Sequence, residues 1–288
     1  MFRSILASKT RGIDLVRAQG PFLRSCRSFR ASGFHPEKQV LNKVHQTIKG
    51  RKRFYNNVSV KRVESGKFEI QLDGRSLKTP GRNSMHFPNE QYALAVAAEW
   101  DSQTEKKGIE PGTMPLMTLT ATAIDHISVD PSPTLDNILK YFPTDTACYF
   151  ANEEERILRK RQIKLLDPVI EKLSKTFGVD IATTDAMITK VPHPPESISK
   201  MKDIVESLDP FALSALQCAT MECKSLVLGL SLTSGLITVE EAQACCRIEE
   251  EFQIEVWGEI ENGHDLDRVG TAVQLSAASV LMQLKDLA

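Results

Sequence analysis

Apolar and polar residues alternate along the chain between residues 58 and 79. Because successive side chains of a β-strand point to opposite faces, this period of two predicts strands that bury one face. Turns are expected at residues 64–66 and at Asp73–Gly74, where two residues that tolerate a positive φ stand together. The pattern therefore predicts a small antiparallel sheet.

From Asn89 onward the apolar residues recur every three or four positions, which is typical of amphipathic helices. Asn89 can begin the first of these helices, because its side-chain oxygen can accept a hydrogen bond from the backbone of the first turn. Further helices are expected at about 116–127, near 135, from 157 to Gly178 with a bend or break at Pro168, and at 197–208, 210–233, 238–257 and 265–286. The predicted fold class is α+β, a small antiparallel β-rich N-terminal domain followed by an all-α helical bundle.

The charge distribution separates the first thirty residues from the rest of the chain. Residues 1–30 contain six Arg, one Lys and one acid, so they carry +6; because the whole chain carries −1, residues 31–288 carry −7. Arg-rich, acid-poor sequence interleaved with short apolar runs is typical of a mitochondrial transit peptide, and a disordered basic tail is the alternative. We expect a presequence at 1–30, a basic lead-in at 31–53, the β-rich domain with one or two helices at 54–130, and the helical domain at 131–288.

Several functional classes are disfavoured by the sequence. No apolar run is long enough to cross a membrane, so we expect no membrane insertion. The motifs of phosphate-binding loops, dinucleotide folds, zinc peptidases and serine hydrolases are absent, and the six Cys form no CxxC pair. We therefore expect no catalytic residues, no cofactor and no metal, and hence a protein that is not an enzyme.

Two other hypotheses remain open at this point. The first is a matrix enzyme with an unrecognised site, in which Asp125, His126 and Cys148 would have to converge. The second is a nucleic-acid-binding protein that uses the eight basic residues between Lys38 and Arg62. The net negative charge of residues 31–288 argues against the second, so we expect no nucleic-acid partner.

The most unusual segment of the sequence is residues 249–261, which hold six acids and no base. On a helix, Glu251 and Glu255 lie one turn apart on one face, and Glu259 comes next if the helix continues past Gly258. Like charges at this spacing slightly destabilise an isolated helix, so helix stability does not explain them. A basic partner would explain them, and a solvated acidic helix face is the alternative.

Seven short motifs follow one another in a specific order. They are Glu99-Trp100-Asp101-Ser102-Gln103, Ile109-Glu110-Pro111, Met114-Pro115-Leu116, Thr122-Ala123-Ile124-Asp125, Asp145-Thr146-Ala147-Cys148-Tyr149, Glu251-Phe252-Gln253 and Trp257-Gly258-Glu259. Together they resemble the mitochondrial ATP synthase assembly factor 2 family, from about residue 53 to the C-terminal end. The resemblance implies a mitochondrial matrix chaperone that binds the unassembled α subunit of the ATP synthase catalytic head, prevents its aggregation and hands it on for assembly with the β subunit.

The resemblance also implies a location for partner binding. The family's acidic C-terminal helix, implicated in function, corresponds to Glu251, Glu255 and Glu259, of which Glu255 is the first choice. Phe252 and Trp257 would supply apolar contact area beside these carboxylates. The expected partner is the ATP synthase α subunit, and we expect the chaperone itself to be monomeric. We assign Trp100, in the first motif, to the core.

Overall fold

Three antiparallel strands, β1 (Val58–Arg62), β2 (Phe68–Leu72) and β3 (Arg75–Ser76), form a sheet in the order β1-β2-β3. Asp73 and Gly74 connect β2 to β3 with φ values of 48° and 78°. Two consecutive positive φ values match the right-handed twist of a hairpin, which explains why this residue pair is used. The predicted small antiparallel sheet is confirmed.

The computed structural model describes residues 51–185, 192–260 and 263–287. The predicted presequence at 1–30 and most of the basic lead-in at 31–53 lie outside these residues. In the ranges described, no helix is long and apolar enough to cross a membrane.

Helix α1 (Glu90–Asp101) packs against β1 and β2. The Asn89 side chain accepts a hydrogen bond from the backbone N–H of Tyr92 at 2.8 Å, as the sequence predicts. The face of α1 that meets the sheet is buried and consists of Tyr92, Ala93, Val96, Ala97 and Trp100. Burial of this face, with Ile70 and Leu72 of the sheet, forms the N-terminal part of the core.

Three further α-helices follow α1 within the described residues up to 185. They are α2 (Pro115–Thr122), which continues into a π-helical turn at Ala123–Ile127, α3 (Ser132–Leu139) and α4 (Arg156–Phe177). Pro168 lies inside α4, which remains one helix, so the proline does not divide it, and the alternative that it bends the helix stays a prediction. Gly178 ends α4 in a left-handed conformation with φ 63°, as expected for a C-terminal glycine.

Six α-helices follow α4 within the described ranges after residue 192. They are α5 (Pro195–Glu206), α6 (Pro210–Cys223), α7 (Leu226–Thr233), α8 (Val239–Cys246), α9 (Ile248–Trp257) and α10 (His264–Lys285). All residues of α7 are buried, and α6 and α10 are among the helices that pack against it. An antiparallel sheet followed by helices confirms the predicted fold class.

Two helices expected to be continuous are each interrupted. The range 210–233 is divided because Lys224 adopts φ 55°, and the Ser225 side chain then accepts from the Leu228 N–H to start α7. The range 238–257 is divided at Arg247, whose φ of −108° and ψ of 9° are not helical. The interruption at Lys224 lets α6 and α7 pack against each other instead of forming one long helix.

Helix α10 connects the two halves of the chain. It contacts α6, α7 and α8, and it also contacts α1 and α2. At its C-terminal end the carbonyls of Leu284 and Leu287 accept hydrogen bonds from the Asn89 side-chain amide at 2.7 and 3.0 Å. Helices from both sides of residue 131 therefore pack together, and the division into domains at that residue stays a prediction.

Candidate functional site

Glu255, the first choice among the predicted partner-binding residues, lies on α9 and faces Arg161 of α4. Both carboxylate oxygens accept hydrogen bonds from the guanidinium, at 2.7 and 2.6 Å. This bidentate pair holds the pKa of Glu255 below its usual range and raises that of Arg161. The Glu255 side chain is nevertheless 56% exposed, so one side of the carboxylate remains open to solvent.

Glu251 belongs to a second arginine network at the base of α9. Its carboxylate accepts from Arg247 at 3.2 Å and from Arg268 of α10 at 3.2 Å. Arg247 is almost completely buried, and it also pairs with Glu250 and with Asp267 at 2.9 Å. The acids of α9 are thus joined through arginines to α8, α10 and α4.

Glu259 does not extend the acidic stripe of α9. The helix ends at Trp257, and Gly258 has φ 91° and ψ 161°, which turns the chain away from the helix axis. The condition for Glu259 to continue this helical face, a helix that extends past Gly258, is therefore not met. Glu259 and Glu251 nevertheless share an ion-pair partner, because the Glu259 carboxylate lies 3.4 Å from the guanidinium of Arg268.

The two aromatic candidates have different surroundings. Phe252 is half-buried against the core, and the Arg161 guanidinium lies 5.7 Å from the centre of its ring. Trp257 is 77% exposed at the end of α9. Exposure of a large aromatic side chain to water is energetically unfavourable. Trp257 is therefore a stronger candidate than Phe252 for a contact with another molecule.

Trp257 is part of a wider group of exposed apolar side chains. Of the thirteen large hydrophobic residues exposed in the described part of the chain, six fall between residues 256 and 273. They are Val256, Trp257, Ile260, Leu266, Val269 and Val273, and we call them the C-terminal apolar surface. The acids Glu255, Glu259, Asp265 and Asp267 are interspersed among them along the chain. Sequence patterning singled out Glu255, Glu259 and Trp257 but missed the apolar residues of α10.

The sequence of this chain is similar to those of known proteins. The model of the ATP12 chaperone protein family matches residues 52–174. The mitochondrial Atp12 protein of Schizosaccharomyces pombe is 26% identical over 239 residues, which cover 80% of this chain and 81% of that protein. The corresponding protein of Saccharomyces cerevisiae is 28% identical over 285 residues, which cover 85% and 87%.

A solved structure decides the assignment. The crystal structure of Atp12 from Paracoccus denitrificans is 31% identical, has a TM-score of 0.73, and aligns over 82% of this chain and 98% of its own. The chain belongs to the ATP12 chaperone family. The family predicted from the order of the motifs is therefore confirmed, and both fungal ATP12 relatives are named as mitochondrial proteins.

The motif at 99–103 lies within the stretch that matches the ATP12 family model, and its side chains connect the end of α1 to the start of α2. Both oxygens of the Glu99 carboxylate accept from the backbone at the start of α2, from Leu116 N–H at 2.8 Å and from Met117 N–H at 2.7 Å. Helix α2 has no side-chain cap of its own, so Glu99 supplies the missing acceptors. Burial raises the pKa of Glu99 to about 7, although the two backbone hydrogen bonds oppose the rise.

The other members of that motif are also structural. Trp100 is only 3% exposed and meets the edge of the Tyr55 ring, as expected for a core residue. The Gln103 side chain is buried, accepts from the Glu110 N–H at 2.8 Å and donates to the Thr113 hydroxyl at 3.1 Å. This ATP12 motif therefore fastens the end of α1 to the loop that leads into α2.

The three residues of the alternative enzyme hypothesis lie in different surroundings. Asp125 accepts hydrogen bonds from the loop at 79–83, including 2.7 Å contacts from the Gly81 N–H and the Asn83 amide. The side chain of His126 is exposed, whereas Cys148 is completely buried. Burial raises the pKa of the Cys148 thiol, and the neighbouring Asp145 carboxylate adds to the rise, so the thiol stays protonated.

Asp145 is a second buried carboxylate with a structural function. It accepts from the Ala147 N–H and from the Val227 N–H, both at 3.0 Å, and so caps the first turn of α7. Burial raises its pKa to about 6, against the opposing effect of these hydrogen bonds. In the described ranges, no group of three or more His, Cys, Asp and Glu side chains is placed to hold a metal ion. The expectation of no cofactor remains a prediction.

Proposed function

We propose that this ATP12 family member is an assembly chaperone of the mitochondrial matrix that binds the unassembled α subunit of the ATP synthase catalytic head. It keeps the α subunit from aggregating and hands it on for assembly with the β subunit. Such a task requires no catalytic group, because it depends on covering a surface that the client exposes only before assembly. Family membership supports the chaperone class, and the resemblance of the sequence supports this client and compartment.

The observation that carries the proposal is the C-terminal apolar surface. Its six residues are all exposed within residues 256–273, and contiguous exposed apolar groups often mark an interaction site. Trp257 is the most exposed of them, and aromatic residues contribute a large part of the binding energy at protein interfaces. We assign Trp257 and Phe252 the apolar part of the client contact.

Glu255, Glu251 and Glu259 would supply its charged part. In the free chaperone these carboxylates are paired with arginines of the same chain, and the pairs are partly exposed to solvent. Exposed ion pairs are weak, so a basic group of the client can share or replace an arginine at small cost. The acids would then steer a basic client segment onto the apolar residues and discriminate against acidic ones.

A light-scattering experiment tests the proposal. The denatured α subunit is diluted into buffer with the purified full chain, and aggregation is followed for wild type, Trp257→Ser and Val129→Ser. Val129 is the matched control because it is also highly exposed, at 76%, but lies in the connection before α3. We expect wild type and Val129→Ser to suppress scattering, and Trp257→Ser to lose most of the effect.

Two outcomes would count against the proposal. If the wild-type chain does not protect the α subunit, the client assignment is wrong. If both variants protect as well as wild type does, the client contact lies away from Trp257. The enzyme hypothesis gains no support, since Asp125 and Cys148 already have structural surroundings.

A further inference from the structure

A cavity of about 510 Å³ lies beneath the β2–β3 hairpin, away from the C-terminal apolar surface along the chain. Its walls come from the segment before β1, from the hairpin and from the end of α1. Tyr55, Leu77 and Trp100 are buried side chains in this wall, whereas Phe54 is 68% exposed. A cavity of this size, with aromatic and aliphatic walls, accommodates one or two large side chains.

Three cationic side chains stand at the cavity. Arg51, Arg75 and Lys78 line it, and all three residues are exposed. Within the part of the chain that the structure describes, none of them forms an ion pair at hydrogen-bonding distance. The single acid at the cavity, Asp73, is engaged by the backbone N–H groups of the segment before β1, which lower its pKa. The cavity is therefore positively charged.

Arg53 shows how a cation with a structural function differs from these three. Its guanidinium donates to the carbonyls of Tyr55, Asn56, Asp101 and Gln103, and to the Asp101 carboxylate. These hydrogen bonds fix the segment before β1 to the end of α1. One wall of the cavity is thereby held in place without the three exposed cations. Of the three, Arg75 interacts electrostatically with the Asp73 carboxylate and helps to lower its pKa.

The cavity wall also contains an unsatisfied donor. The Nε1–H of Trp100 is buried and has no hydrogen-bond acceptor among the described residues. Buried polar groups are nearly always paired, so an orphan of this kind needs an explanation. The nitrogen is closed off from the surface in this structure, so an oxygen acceptor of an occupant would reach it only after the Trp100 ring turns.

We propose that this cavity binds a segment of the client in which a large apolar side chain is flanked by acidic residues. The apolar side chain enters the cavity and packs against Tyr55, Leu77 and Trp100, and the flanking carboxylates meet Arg51, Arg75 and Lys78. This inference rests on the proposed function, because it takes the occupant to be part of a client protein. The chaperone then has two contact surfaces of opposite charge, which fixes the orientation in which it holds its client.

Fluorescence of Trp100 gives a direct test. The chain has two tryptophans, so full-length protein carrying Trp257→Phe reports on Trp100 alone. The probes are short glycine–serine peptides with Glu-Phe-Glu, Lys-Phe-Lys or Glu-Ser-Glu at the centre. We expect a saturable change of Trp100 emission with Glu-Phe-Glu, weakened by added salt, and little change with the other two peptides.

Charge reversal at the cavity supplies the matched comparison. In the same reporter, Lys78→Glu should weaken binding of the Glu-Phe-Glu peptide roughly tenfold, and adding Arg75→Glu should weaken it further. Lys67→Glu is the control, since Lys67 is an exposed lysine at the β1–β2 turn, at the other end of β2. The reporter carrying Lys67→Glu should bind the Glu-Phe-Glu peptide as tightly as the unmodified reporter does.

The outcomes separate this inference from the proposed function. No saturable change with Glu-Phe-Glu, equal binding of Lys-Phe-Lys, or unchanged affinity in Lys78→Glu would each overturn the cavity as an acidic-segment site. None of these results depends on the α subunit. Peptide binding together with failure of the wild-type chain to protect the α subunit would instead overturn the client assignment and leave the cavity standing.

Discussion

The two acidic motifs at the end of α1 and in α9 use their carboxylates in opposite ways. Glu99 is directed inward and accepts from two backbone N–H groups at the start of α2. Glu255 is directed outward and pairs with an arginine side chain that is itself partly exposed. A backbone N–H at a helix start has no other acceptor inside the fold, whereas a surface arginine can exchange its partner. The first motif is therefore fixed structure, and the second can take part in recognition.

This comparison also changes what the acidic stripe of α9 means. From the sequence, a basic partner would explain like charges one helical turn apart, and a solvated acidic face is the alternative. Arg161, Arg247 and Arg268 are such basic partners within the chain. The stripe alone is thus no evidence for an external partner, and the exposed apolar residues beside it carry the argument for client binding.

The largest expected effect is on the stability of the buried motif. Trp100→Ala should lower the free energy of unfolding by about 3 to 5 kcal/mol, because it removes a buried ring and leaves a cavity in the core. Trp257→Ala should change it by only about 0.5 kcal/mol, because that ring is mostly in solvent. Urea denaturation of both variants measures the difference. Equal stability of the two variants would remove the distinction between a structural and an exposed tryptophan.

A second expected effect concerns pH. The folded-state pKa of Glu99, about 7, lies above its ordinary value of 4.5, so the folded protein holds this proton more tightly than the unfolded chain does. The stability that results is fully present below about pH 4.5 and is lost as the pH rises through 7, a change on the order of 3 kcal/mol. Asp145, with a pKa of about 6, contributes in the same direction.

Glu99→Gln isolates the contribution of Glu99. The amide does not titrate, so unfolding free energy measured from pH 4.5 to 7.5 should fall less steeply with pH in this variant than in wild type. Glu64→Gln, at an exposed turn residue, should leave the slope unchanged. Parallel curves for Glu99→Gln and wild type would mean that Glu99 is not protonated in the fold at neutral pH.

The smallest effect on stability is expected at Glu255, where it is combined with a large effect on function. Glu255→Lys places two cations together on the surface, and the melting temperature should change little. Adding Arg161→Glu restores the ion pair with its polarity reversed. If Glu255 contacts a basic client group, both variants should fail to protect the α subunit, because the negative charge has moved away from the contact.

The double variant decides between contact and internal pairing. Full protection by the chain carrying both Glu255→Lys and Arg161→Glu would show that only the internal pair matters. Glu64→Lys controls for the change in net charge, and loss of protection there would indicate general electrostatics.

Local features of the fold could be predicted from the sequence, because their causes are local. The Asp73–Gly74 turn and the Asn89 cap each depend on a few adjacent residues. The interruption at Lys224 could not be predicted, since a lysine in a left-handed conformation has no sequence signature and is held there by the packing of α6 against α7. Gly229 shows how tight that packing is, because an added Cβ would lie 2.6 Å from the Thr220 hydroxyl.

The candidate site was predicted less completely, because it also depends on contacts between residues that are far apart in the sequence. The sequence indicated an acidic helix face with Trp257, but Arg161 is 94 positions away from Glu255, and periodicity carries no information about such distant pairs. The function of Glu99 did leave a signal, since the predicted helix after Met114–Pro115 lacks a Ser, Thr, Asp or Asn cap. A helix start without a cap requires an acceptor from elsewhere in the fold.

The central claim is that the C-terminal apolar surface contacts the unassembled α subunit, and site-specific photo-cross-linking tests it most directly. Trp257 or, as a control, Val129 is replaced by a photoreactive phenylalanine analogue in the full chain, which is mixed with α subunit and irradiated before or after addition of β subunit. We predict an α-subunit adduct from position 257, none from position 129, and loss of the adduct once β subunit is present. No adduct from position 257, or equal adducts from both positions, would contradict the account.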